Sequence, residues 1–136
     1  MRRMRTMRAL VAGSRDWEGI NGEARIVTIL NTLLAFADSI DEPLTIVHGA
    51  CPTGADAITD RWCRRREDQV FLVTYPAEWG VYGKEAGPIR NREMVDQGAD
   101  VCLVFMKNAS PGSSNTVALA RGAGIPTFII RWEECE

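Results

Sequence analysis

The chain holds a single histidine, and its four cysteines never form a C-x-x-C pair. That spacing supplies neither a zinc cage nor a disulfide framework. Nor does any run approach the ~18 apolar residues that a membrane-spanning helix needs. Arg2, Arg3, Arg5 and Arg8 lead only into the short apolar run Ala9 to Ala12, ended by Gly13, too brief for the core of a signal peptide. Residues 1–7 read instead as a solvated basic tail, and a cytoplasmic protein is expected. The basic excess of a general nucleic-acid binder is missing too, since the net charge is −2. Internal repeats, low-complexity tracts and linkers are also absent. What remains is 136 residues, 46% hydrophobic and 25% charged, the size and balance of one globular domain spanning 1–136.

Five short apolar runs set the frame, at 8–13, 44–47, 70–74, 101–105 and 127–130. Each is continuous instead of alternating, the mark of strands buried on both faces of a parallel sheet. Segments of helical spacing lie between them. Ile26, Leu30, Leu33, Leu34 and Ala37 form one apolar stripe; Ala55, Ile58, Trp62 and Cys63 form another. Pro88 suits the first turn of a helix running through Met94 and Val95 to near Gly98. Thr116 to Ala123 reads as a small-residue helix, while 75–87 and 108–114 read as loops. The alternation predicts an α/β, three-layer Rossmann-like fold with a mainly parallel sheet of five strands or slightly more.

In such sheets ligands bind outside the carboxyl ends of the strands. The glycine-bearing polar loops all leave those ends, at 13–17, 48–56, 75–90 and 107–116. The reverse connections near 38–43, 67–69 and 98–100 carry no comparable cluster. In the second loop, a strand runs through His48-Gly49-Ala50-Cys51-Pro52-Thr53-Gly54-Ala55-Asp56 into a helix. That geometry suits phosphate, because glycine lets backbone approach an anion and the first helical N–H groups point at it. Tight packing of strand against helix asks for the same glycines. Cys51, just before the helix start, is a candidate reactive thiol without an evident base beside it. Cys63 and Cys102 sit in apolar settings, as buried reduced thiols do.

Several of these loops agree, in order, with one family. Gly13-Ser14-Arg15-Asp16-Trp17, then His48-Gly49-x-x-x-Thr53-Gly54-Ala55-Asp56, then Trp79-Gly80-x-Tyr82-Gly83-Lys84-x-Ala86-Gly87-Pro88-x-Arg90-Asn91-Arg92-x-Met94 resemble the YspA-like branch of the SLOG superfamily. LOG phosphoribohydrolases and the DNA-processing DprA proteins belong to the same superfamily. The resemblance covers about residues 8 to 130 and implies a Rossmann-like domain that binds nucleotides or nucleotide-derived ligands. It places Gly13, Ser14 and Arg15 in the first ligand loop, with Asp16 beside them. Arg15 suits a phosphate, or an ion pair with Asp16 or Glu18. Thr53, Gly54, Ala55 and Asp56 match the second loop, where Asp56 either meets a ribose hydroxyl or caps the helix. His48 and Gly49 precede them; the histidine touches ligand or is held by a local hydrogen bond. Trp79 and Tyr82 offer a stacking surface for a base or anchor their loop, with Lys84 close by. Arg90 and Asn91 reach inward while Met94 packs below.

The last loop departs from the enzymes. LOG proteins carry Pro-Gly-Gly-x-Gly-Thr-x-x-Glu, and the matching run here is Pro111-Gly112-Ser113-Ser114-Asn115-Thr116-Val117-Ala118-Leu119. Gly112, Ser113, Ser114 and Thr116 retain the means to hold phosphate through backbone N–H groups and hydroxyls. Leu119 replaces the acid and cannot move a proton. A module that binds or senses a nucleotide-derived ligand is therefore expected first. The alternative is a hydrolase of N-glycosidic or phosphate bonds resting on Asp16, Asp56 or Glu85, and a single-stranded DNA-associated protein comes third. No cofactor is evident beyond that ligand, though a divalent cation can arrive with a phosphate. The resemblance also implies a homodimer, of which the residues themselves give only hints, such as Trp132.

Overall fold

The computed structural model describes residues 5–132; Arg2, Arg3 and Cys135 lie outside them. Its five strands are β1 (Met7–Gly13), β2 (Leu44–His48), β3 (Val70–Thr74), β4 (Val101–Lys107) and β5 (Thr127–Trp132). All pair in parallel, in the order β3-β2-β1-β4-β5. The helices are α1 (Gly19–Ser39), α2 (Gly54–Arg64), the single turn α3 (Trp79–Tyr82), α4 (Ala86–Asp96) and α5 (Pro111–Gly122). A 3₁₀ turn, Gly83–Glu85, joins α3 to α4. None of these helices is long and apolar enough to cross a membrane.

The period-2 geometry of β1 divides the core. Met7, Ala9 and Val11 face one side with Ile26, Leu30 and Ala37 of α1 and Ile58, Trp62 and Cys63 of α2. Leu10 and Ala12 face the other side, with Met94 and Val95 of α4 and Val117 and Ala120 of α5. Both faces are covered, so the continuous apolar runs describe this sheet correctly. Both expected helical stripes also point inward, with Leu33 and Leu34 packed at the margin. The outer strands carry the half-exposed Phe71 and Phe128 at the sheet edges.

Several boundaries differ from the sequence expectation, among them the carboxyl ends of β4 and β5, which run two residues further than expected. The stretch expected to be irregular up to Gly87 turns helical at Trp79, and α4 begins at Ala86, ahead of Pro88. The α5 helix begins at Pro111 instead of Thr116, with the proline where a missing N–H costs nothing. The first strand begins at Met7, inside the expected tail, because its N–H reaches the Pro43 carbonyl at 2.8 Å.

The β1–α1 loop hides the largest surprise. Trp17 is fully buried, its Nε1 donating to the Gly22 carbonyl at 2.8 Å. Phe105 and Trp132 meet its ring edge to face, with centroids at 5.4 and 5.2 Å. Each such pair contributes ~1 kcal/mol beyond area burial. Trp132 thus has an intrachain partner, and its presence near the C-terminus is explained without a second copy.

Candidate functional site

Strand order reverses at β1. The chain moves outward through β2 and β3, then crosses to β4 and β5 on the other side. Loops leaving β1 and β4 therefore diverge, which opens a crevice at the carboxyl edge. A cleft of about 750 Å³ occupies that position, lined by parts of all four glycine-bearing loops. Pockets for small molecules are typically of this size.

The floor is built by close backbone approach. A side chain at Gly13 would strike Ala55 Cβ at 2.6 Å, and Gly54, at φ +74°, lies against the backbone of Ser14 and Arg15. The Ala55 N–H donates to the Ser14 carbonyl at 3.2 Å, fastening α2 to the first loop. The Ser14 hydroxyl accepts from the Lys107 N–H at 2.9 Å and donates to the Lys107 carbonyl at 3.3 Å. It clasps β1 to β4 and lies buried beneath the cleft. Gly13, Gly54, Ala55 and the Ser14 hydroxyl thus shape the site, while Arg15 and Asp16 form its exposed rim.

The buried carboxylate of Asp56 is the polar centre. It is only 7% exposed; Oδ2 accepts the Cys51 N–H at 3.2 Å, and Oδ1 has no partner. Burial raises its pKa above the ordinary carboxylate range, against the opposing influence of His48, the Cys51 N–H, Arg90 and the nearby Gly49 N–H. Arg90 is half-buried. Its Nη1 donates to the Gly49 carbonyl and, at 3.4 Å, to that of Tyr75, and Nε donates to Asn91 Oδ1 at 2.8 Å. Those bonds leave Nη2 without a protein acceptor among the described residues. Burial lowers the Arg90 pKa, and the charge of Asp56 opposes that shift.

Asn91 ties the two helices of the far face together. Besides accepting from Arg90, it donates to Asn115 Oδ1 at 3.0 Å and to the Gly112 carbonyl at 3.5 Å. At the start of α5, Ser110 donates to the Ser113 hydroxyl at 3.0 Å and Thr116 to the Gly112 carbonyl at 3.4 Å. No side chain caps this helix, so the N–H groups of its first turn remain available at the cleft. Leu119 packs against the core beneath α5, in keeping with its apolar character.

Across the mouth, the Arg15 guanidinium lies 5.6 Å from the Trp79 ring centroid. The absent side chain of Gly87 gives that ring its room, since a Cβ there would touch it at 3.3 Å. Trp79 keeps 49% of its surface exposed. A planar cation and an aromatic face at one opening suit a flat, conjugated ligand group.

The cleft thus gathers Gly13, Ser14, Arg15, Asp16, Gly49, Asp56, Trp79, Arg90, Asn91, Gly112, Ser113 and Thr116. Seven of the expected residues lie elsewhere. His48 is buried behind the second loop, and Gly54 and Ala55 pack below the floor. Thr53, Tyr82, Lys84 and Ser114 are exposed outside the cleft wall. The structure adds Lys107, whose Nζ stands 5.0 Å over the Trp132 ring, and Asn115, the partner of Asn91. Cys51 also lines the wall, whereas burial pushes the Cys63 and Cys102 thiols up to about 12. No group of three or more His, Cys, Asp or Glu among the described residues is placed to hold a metal.

Strand order and cleft position define a doubly wound, Rossmann-like domain. Residues 7–82 match the YAcAr family, described as the YspA, cpYpsA-related SLOG family. The chain belongs to this family. It is also 38% identical over 124 residues to the Gene 61 protein of Mycobacterium phage D29, covering 89% of this chain and 94% of the relative. Two crystal structures of the C-terminal domain of PF1911 hydrogenase from Pyrococcus furiosus are similar in fold. One (residues 78–226) has 16% identity, a TM-score of 0.48 and 95% coverage of each chain. The other (residues 83–215) has 15% identity, a TM-score of 0.49 and 96% coverage of each.

Proposed function

We propose that this cleft binds a nucleotide-derived small molecule, as a binding or sensing site. The observation that carries the reading is the cleft itself, at the reversal of strand order, where the carboxylate of Asp56 and the guanidinium of Arg90 stand among four loops. Asp56 lines the cleft wall with 7% of its surface exposed, and a carboxylate there is an acceptor suited to a ribose hydroxyl. Around it stand the groups such a ligand needs: the first-turn N–H groups of α5 and Nη2 of Arg90 for phosphate, and Trp79 with Arg15 for a base. Family membership supports the same reading. A divalent cation, on this view, enters with the ligand's phosphates.

The test is a thermal-shift and equilibrium-dialysis screen with nucleotides, nucleoside phosphates and ADP-ribose. At least one should raise the unfolding temperature of the wild type and not of Asp56→Ala. A folded protein that responds to none of them refutes the proposal.

A hydrolytic reading, if turnover occurs, falls on Asp56. Its raised pKa is what a proton donor to a leaving group requires, whereas Asp16 and Glu85 are exposed and Glu85 lies outside the cleft. Release of free base or phosphate that disappears in Asp56→Asn would decide for it. The three free thiols of the described residues support a reducing, cytoplasmic setting, and a homodimer is proposed from family membership alone. Sedimentation of the purified chain decides the latter.

A further inference from the structure

Ala50 sits in the wall of the second loop at φ +58°, a left-handed conformation that carries a cost for any residue with a Cβ. Its neighbours explain what that conformation achieves. The Gly49 carbonyl turns toward Arg90, and the Cys51 N–H turns toward Asp56. Between them, the Ala50 N–H donates to His48 Nδ1 at 2.9 Å. Three successive residues are thus held by side chains from α4, β2 and α2. Two of those side chains, Arg90 and Asp56, belong to the cleft; the third, His48, does not.

The imidazole is held from behind. Because Nδ1 accepts, the ring carries its proton on Nε2, which lies 2.9 Å from Asp60 Oδ1. Asp60 is fixed in turn by Arg64, whose Nε donates to Oδ2 at 2.5 Å. Burial opposes ionisation of Asp60, but the hydrogen bonds from Arg64 and His48 outweigh it and keep its carboxyl below the usual range. His48 is only 1% exposed, so water cannot readily replace either contact. The chain Arg64–Asp60–His48–Ala50 runs from the outer surface of α2 to the wall of the cleft.

We propose that His48 is a positioning residue of the ligand site: oriented by Asp60, its ring holds Ala50 left-handed and so aims Asp56 and Arg90. The functional half of this statement rests on reading the cleft as a nucleotide-type site; the structural half does not. Without the Nδ1 acceptor, Ala50 relaxes toward ordinary backbone, the peptide planes on either side rotate, and Arg90 and Asp56 lose the contacts that orient them.

Substitutions separate this role from simple packing. His48→Asn keeps an acceptor near the Nδ1 position, and His48→Gln keeps a group near Nε2 without that acceptor. In titrations with ADP-ribose, His48→Ala and His48→Gln should each weaken binding about tenfold, the effect of one lost orienting hydrogen bond. His48→Asn should stay within about threefold of the wild type by the same scale. Adding Ala50→Gly to His48→Ala should recover most of the loss, because glycine adopts the left-handed turn without strain. If folded His48→Ala binds as the wild type does, or Ala50→Gly gives no recovery, the proposal is overturned. A second arm needs no ligand: nitrogen-15 NMR should find the His48 proton on Nε2, and the Ala50 amide should exchange slowly in the wild type and rapidly in His48→Ala. A proton on Nδ1, or unchanged exchange in the variant, overturns the proposal as well. If the wild type does not bind ADP-ribose, the titration uses the nucleotide or nucleoside phosphate that the screen finds; if none of them binds, the ligand reading fails and the NMR arm decides the positioning role.

Discussion

Replacing Gly54 by alanine tests how the cleft floor is assembled. Two costs fall on this substitution. The residue has φ +74°, so an alanine is strained there by about 1–2 kcal/mol. Its methyl would also lie 2.6 Å from the Arg15 Cα and carbonyl carbon, and closer still to the Ser14 carbonyl oxygen. These are backbone atoms that cannot swing aside, so the first loop must move, at a further cost of about 1–3 kcal/mol. The expected total is about 2–5 kcal/mol. Gly124 supplies the control, having φ +78° and nothing within 4 Å of the place an alanine methyl would take. Gly124→Ala should therefore lose only the conformational part, about 1–2 kcal/mol. Urea unfolding of both variants, compared by midpoint at constant slope, measures the difference. Equal losses, within about 0.5 kcal/mol of each other, would refute the claim that α2 packs directly on the first loop.

Three other outcomes follow from the same contacts. Trp17→Ala should cost about 3–5 kcal/mol in denaturant unfolding, because it empties a fully buried site and abandons the Gly22 carbonyl. Trp79→Ala should change stability by less than about 1 kcal/mol, since the side chain is half-exposed, yet abolish the fluorescence response to an aromatic nucleotide. Asp56→Asn carries a pH signature. Since the folded pKa is raised, the aspartate favours the folded state most below its unfolded pKa and loses that contribution as pH rises through the folded value. The asparagine variant should thus gain stability relative to wild type on going from about pH 4 to pH 7, near and above the ordinary carboxylate pKa. A stability difference that does not vary over that interval would show Asp56 to be unshifted.

The strands and the two large amphipathic helices were legible because burial writes itself as pattern. A strand covered on both faces must be apolar throughout, and a helix on one face needs the stripe that Ile26, Leu30 and Ala37 supply. The helical turn at Trp79 was not legible, since none of its residues is buried and three glycines and Pro88 crowd the segment. Its Val81 and Tyr82 amides simply close onto the Glu78 carbonyl, both at 3.0 Å. The early start of α5 did leave a signal, the proline that commonly opens helices. Trp17 gave none, because a loop tryptophan reads the same whether it faces solvent or fills a core.

From the order of residues alone came the kind of sheet, the edge that gathers glycines and polar groups, the loss of the LOG-type acid at Leu119, and the family likeness. The sheet and its loaded edge follow from local composition and periodicity, which a linear chain displays in full. The Leu119 departure and the likeness follow instead from the resemblance of its motifs to those of a family. The division of labour within that edge depended on contacts far apart in sequence. Ser14 is taken by Lys107, His48 by Asp60 and Ala50, and one oxygen of Asp56 by Cys51, while Nη2 of Arg90 has no acceptor among the described residues. A polar side chain looks the same in a sequence whether its hydrogen bonds are satisfied or not. Only folding decides which donors and acceptors find each other, and so which remain for a ligand.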